Sequence, residues 1–177
     1  DFGDWVDAFV DEGWWVVAPD LRGHGASDQP DDEDLYSLVH YATDLLALAD
    51  DLGWVRFSMI GHSMGGMVAQ EMALRAPERI ERLVLMDTHH GAVEDIDPSV
   101  VELAVGILRR DGMDGLLDLI AQLPEAEKTS SEQRVLADRP GYQEFGDAKV
   151  RSCSAAMYAA MGVELTTIPY QGTAPAL

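Results

Sequence analysis

The hexapeptide Gly61-His62-Ser63-Met64-Gly65-Gly66 constrains this chain more than any other stretch of it. An apolar run of strand length, residues 54–60 (Trp-Val-Arg-Phe-Ser-Met-Ile), leads straight in. A helical pattern leads straight out, with Met67, Val68, Met72, Ala73 and Ala76 on its apolar face, and closes before Pro77. The backbone must therefore turn from strand to helix within a few residues. Small residues flanking the serine let the two elements approach closely and let the turn adopt strained angles. A serine on such a turn has its hydroxyl lifted clear of the sheet's carboxyl edge.

The rest of the first half repeats the alternation. Residues 4–12 read as a short helix with Trp5, Ala8 and Phe9 on one face, and Trp14-Trp15-Val16-Val17-Ala18 as a buried strand ended by Pro19-Asp20. A turn-rich loop, Leu21 to Asp34, precedes a helix over 36–52, where Leu38, Val39, Ala42, Leu45, Leu46, Ala49 and Leu52 recur at helical spacing and Gly53 ends the run. A third strand, Leu83-Val84-Leu85-Met86, lies within 80–87. Strands that are apolar throughout imply a parallel sheet covered on both faces, with the intervening helices as right-handed crossovers. The expected fold class is α/β.

After Asp87 the strand signal disappears. Asp97-Pro98 reads as an N-cap and first turn of a helix to Arg110, ended by Asp111-Gly112. Further helices are predicted over 113–123, 125–138 and 142–161. With no sheet of its own, this half must lay its apolar stripes on the α/β piece. The division expected is residues 1–90 as a partial α/β core and 91–177 as a helical cap.

The turn suggests its own chemistry. Ser63 is the candidate nucleophile, and the next backbone N–H, that of Met64, points where an oxyanion would form. The helix starting at Met64 adds its positive N-terminal end beneath the site. Three segments in this order and spacing, Val-Val-Ala-Pro-Asp-Leu-Arg-Gly-His-Gly-Ala-Ser-Asp (16–28), Gly-His-Ser-Met-Gly-Gly (61–66) and Glu-Arg-Ile-Glu-Arg-Leu-Val-Leu-Met-Asp-Thr (78–88), resemble the α/β-hydrolase superfamily. The resemblance is to its capped bacterial branch of esterases, enol-lactonases, C–C bond hydrolases and cofactor-free haloperoxidases. It covers residues 1–90; the cap matches in position and helicity alone. It implies attack of the serine on an ester-like carbonyl, a histidine that takes the proton, and an acyl-enzyme hydrolysed by water. Haloalkane dehalogenases and epoxide hydrolases are disfavoured, because those families place aspartate where Ser63 stands.

The same resemblance implies partners in the order Ser, Asp or Glu, His. The five histidines are His24, His40, His62, His89 and His90, and none occupies the late catalytic position. The usual acid, the family's first strands and its His-Gly oxyanion loop are equally missing. These gaps lead us to expect an internal fragment: an enzyme in its complete parent, and by itself a chain of negligible turnover. A hydrolase-like binding module without catalysis is the alternative from another class.

Other candidates carry two readings each. Asp87 ends the third strand, where some lipase relatives place their acid, or it serves as a local cap. His89 and His90 line the pocket mouth or face solvent at a hinge. His62 is expected to pack away from the serine, and His24 to fix its loop by local hydrogen bonds, as are Asp20 and Arg22. A metal site from His89, His90, Glu94, Asp95 and Asp97 lacks recognised ligand spacing. Met113, Tyr142, Phe145, Met157, Tyr158 and Met161 line an acyl pocket or, at helical spacing, form plain core. No metal or organic cofactor is expected.

Charge narrows the partners. Thirty-two acidic residues against 12 basic ones give a net charge of −20, with Lys128 and Lys149 the only lysines. Such a field repels nucleic acid and anionic membrane, leaving a small ester-like molecule as the expected partner. Its even spread reads as a solvated acidic surface of the kind suited to a salt-adapted organism. One cysteine, Cys153, is expected to be a small apolar filler on a cap helix; it excludes an internal disulfide and suits a reducing cytoplasm. No basic-then-apolar leader and no bilayer-length apolar stretch is visible.

Overall fold

Two strands form the sheet of the computed structural model, which describes residues 2–93, 96–123 and 128–168. β1 (Phe57–His62) and β2 (Ile80–Met86) run parallel, with Phe57 opposite Ile80 and His62 opposite Met86. The helix joining them, α3 (Met64–Arg75), packs back on both strands and buries Gly66, Met67, Val68, Ala69, Met72 and Ala73. Before the sheet come α1 (Gly3–Asp11) and α2 (Leu38–Asp51). Ser37 sets the start of α2: its hydroxyl accepts the His40 N–H at 3.1 Å, so the helix begins two residues later than apolar spacing alone indicates.

The first expected strand, 14–18, does not join the sheet. Its backbone pairs with no strand among the described residues, and Trp14 and Trp15 are exposed. Strand formation belongs to a pair of segments, so an apolar run without a neighbour stays unpaired. Its rings find other company. Trp15 meets Trp54 edge-on at 5.4 Å, and the Arg82 guanidinium lies over Trp14 at 5.7 Å.

From Pro98 onward every element among the described residues is a helix. α4 (Pro98–Gln122) starts as expected, with Pro98 in its first turn and the Asp97 carboxylate accepting the Ser99 N–H at 2.9 Å. The predicted break is also present, as Gly112 leaves helical geometry at φ 71° and ψ −162°. α5 (Ser130–Asp138) begins on a capping box between Thr129 and Glu132; the earlier start assigned to it, at 125, lies outside the described residues. The single helix expected over 142–161 is two, α6 (Tyr142–Arg151) and α7 (Ala155–Thr167). Ser154 separates them, its hydroxyl accepting the Met157 N–H at the start of α7. Cys153 therefore lies in a turn rather than on a helix, and it is buried.

One apolar cluster spans both halves. Tyr36, Leu38, Tyr41 and Ala42 meet Met67, Val68 and Met72 of α3, and Cys153, Met157 and Met161 close over them. A second cluster joins α4 to α7 through Val105, Leu108 and Ala159. Met113 and Tyr158 pack against this second cluster, so four of the residues named as pocket lining or core are core. Tyr142 and Phe145 are neither: they are exposed on α6, their rings 6.3 Å apart. No helix among the described residues is long and apolar enough to cross a membrane.

Candidate active site

Ser63 stands between the last residue of β1 and the first of α3 with φ 52° and ψ −126°, a left-handed region that side chains rarely occupy. Four hydrogen bonds hold it there, one of them from the Met67 N–H to its carbonyl at 3.3 Å. Its N–H donates to the Met86 carbonyl at 3.0 Å, which fastens the turn to β2. Its carbonyl accepts the Gly66 N–H at 2.9 Å and the Thr88 hydroxyl at 2.7 Å. Gly61 and Gly66 are required by space. A Cβ on Gly61 would stand 2.6 Å from the Gly65 carbonyl oxygen, and one on Gly66 would stand 2.6 Å from Thr88.

The Ser63 side chain is exposed and does not cap α3. The Met64 N–H is thus among the first-turn donors that a helix cannot satisfy internally. Partial positive charge at this helix end favours an anion beside the hydroxyl.

The neighbouring candidates separate. Asp87 follows β2 with φ 43°, a second non-glycine residue in the left-handed region, and its side chain is 91% exposed. His62 does not pack as expected; it is exposed, its Nε2 3.9 Å from the Asp87 carboxylate. His89 and His90 are exposed just beyond, and Gln70 of α3 donates to the His89 carbonyl at 2.8 Å. Asp97 is occupied at the start of α4, while Glu94 and Asp95 lie outside the described residues. Among the described residues no three His, Cys, Asp or Glu side chains are grouped to hold an ion.

The Leu21–Asp34 loop is fixed as its residues suggest. Asp20 accepts the Ala26 N–H at 3.0 Å, and its carbonyl accepts the Ser27 hydroxyl at 2.7 Å. Arg22 forms a two-bond fork with Asp44 and donates to the Leu35 carbonyl. His24 Nδ1 donates to the Arg22 carbonyl at 3.1 Å. Gln70 escaped sequence reasoning altogether, and Thr88 was read only as the end of the 78–88 segment, since the turn motif ends at Gly66 and neither belongs to it.

The profile of the family described as alpha/beta hydrolase fold matches residues 2–154. A serine hydrolase-like protein of Danio rerio is 37% identical over 94 residues, covering 53% of this chain and 29% of its own. Epoxide hydrolase 4 of Mus musculus is 40% identical over 78 residues, 44% of this chain and 22% of that protein. Among solved structures, the enol-lactonase from Burkholderia xenovorans LB400 superposes with a TM-score of 0.64 at 27% identity, over 85% of this chain and 54% of that one. The chain thus spans about half the length of such a structure and less than a third of those two relatives. The family match runs through the strand, the left-handed serine and the helix after it, and the chain belongs to the alpha/beta hydrolase fold family.

Proposed function

We propose that the complete protein is a serine hydrolase that cleaves a small carboxylic ester or lactone through an acyl-enzyme, with Ser63 as the nucleophile. One observation carries this reading: an exposed serine held at φ 52° between a parallel strand and a helix N-terminus. The hydroxyl attacks the carbonyl carbon and its proton passes to a histidine base. Charge then gathers on the carbonyl oxygen, where the Met64 N–H supplies half of the oxyanion hole. Expulsion of the alcohol, or opening of the lactone, leaves an acyl-serine that water hydrolyses. None of His24, His40, His62, His89 and His90 takes the base role in this scheme. Residues 91–177 act as the cap over the site. A C–C bond hydrolase or cofactor-free haloperoxidase uses the same turn and differs in cap and pocket.

Epoxide hydrolases among the relatives favour a second reading, because the matched segment is of similar identity to theirs. Ser63 weighs against it, since those enzymes use aspartate at this place in the turn. Labelling with a fluorophosphonate probe separates the two. The expected result is one label at Ser63 in the complete protein and none in Ser63→Ala. Folded wild-type protein that takes no label would overturn the proposal.

A further inference from the structure

We infer that Thr88 is a positioning residue for the oxyanion donor, acting through the peptide group between Ser63 and Met64; the inference rests on the nucleophile reading above. The carbonyl of that peptide is the Ser63 oxygen, which accepts the Thr88 hydroxyl at 2.7 Å. Its N–H is that of Met64. A trans peptide is planar, so its C=O and N–H point in opposite directions and turning one turns the other. A hydroxyl that holds the carbonyl, alongside the Gly66 and Met67 N–H groups, therefore helps to aim the N–H. It also polarises the amide, which strengthens the N–H as a donor at the moment charge develops.

The surroundings are built to deliver that hydroxyl. Asp87 takes φ 43°, which turns the chain as it leaves β2 and brings Thr88 back over the start of α3. Aspartate tolerates this region better than most residues, so Asp87 serves here as a turn residue. Gly66 leaves the space that Thr88 fills, since a Cβ there would meet the Thr88 side chain at 2.6 Å. Gln70, one turn further along α3, holds the next carbonyl, that of His89, at 2.8 Å. The last glycine of the motif and the aspartate after the strand thus place one hydroxyl, and the glutamine of the helix holds the residue that follows it. Ser63 and Thr88 stand 25 residues apart in sequence.

The test uses the complete protein, with rates expressed per fluorophosphonate-titrated site so that unfolded molecules do not count. Thr88→Val keeps the shape and removes the donor. The expected result is a fall in kcat of about tenfold with KM unchanged, and a similar weakening of a trifluoromethyl ketone, whose adduct depends on the oxyanion hole. Thr88→Ser restores both. Where the valine variant yields no folded protein, Thr88→Ala takes its place. Equal kcat and inhibitor affinity in the hydroxyl-less variant would overturn the inference, as would a serine variant impaired as much as valine. Wild-type protein that takes no label at Ser63 overturns the nucleophile reading and this inference with it, whereas a labelled wild type with an unaffected variant overturns the inference alone.

Discussion

Glu164 of α7 places both carboxylate oxygens 3.1–3.2 Å from the Leu38 N–H at the first turn of α2. A helix N-terminus welcomes an anion, and the bond to Leu38 and the charge of His40 lower the Glu164 pKa. Burial outweighs both, with Glu71 adding to it, and the carboxyl titrates above its ordinary 4.5. An acid raised on folding binds its proton more tightly in the native state. Its contribution to stability is complete at low pH and is lost as pH rises through the raised value. Glu164→Gln keeps an acceptor for Leu38 and removes the half-buried charge. It is expected to melt higher than wild type at about pH 7, with the difference shrinking toward about pH 4; thermal melts across that range check it. At this scale the sequence reveals what acts locally. Asp20 and His24 hold their own loop, and Ser63 sits within a contiguous motif. Glu164 acts across 126 residues and Thr88 across 25, and no spacing rule in the chain announces either.

Among the elements, the loop from Leu21 to Asp34 and the α6–α7 turn form one seam. The Ser154 N–H donates to the Gly23 carbonyl at 2.8 Å, and Gln29 Nε2 donates to the Ser152 carbonyl at 2.8 Å. Gly23 has φ +79°, and a Cβ there would stand 2.7–2.8 Å from Met157 and Tyr36. Gly23→Ala therefore combines a left-handed penalty with overpacking and is expected to destabilise by about 3 kcal/mol, read from urea unfolding. Ser154 also explains why one helix was expected where two exist. Apolar periodicity runs on across Ser152-Cys153-Ser154, and the break comes from a capping serine that docks on a distant loop. The opposite failure occurs at 14–18, where composition alone indicated a strand and pairing did not follow. The helix with a start signal read in the sequence, Asp97-Pro98, was legible to the residue.

Across the whole molecule, a net charge of −20 opposes compaction, and arginines distributed along the chain offset part of it. Arg109 forks onto Glu33 at 2.7–2.8 Å, which ties α4 to the turn preceding α2 and holds the Glu33 carboxyl below the usual range. Arg139 reaches Asp4 of α1 from beyond α5. Exposed pairs of this kind contribute little each, so self-repulsion is not cancelled by them. Raising salt from about 0.01 M to 1 M shortens the screening length from about 30 Å to 3 Å, and the melting temperature is expected to rise with it. A melt that stays level or falls would remove the case for salt adaptation. The seam has a kinetic side as well. Cys153 is the chain's only thiol, it lies in the α6–α7 turn, and burial raises its pKa. An aqueous disulfide reagent needs that thiol exposed and ionised, so its reaction rate records how often the α6–α7 turn lifts from the Gly23 loop. The protein carries a clock for that motion without any added label.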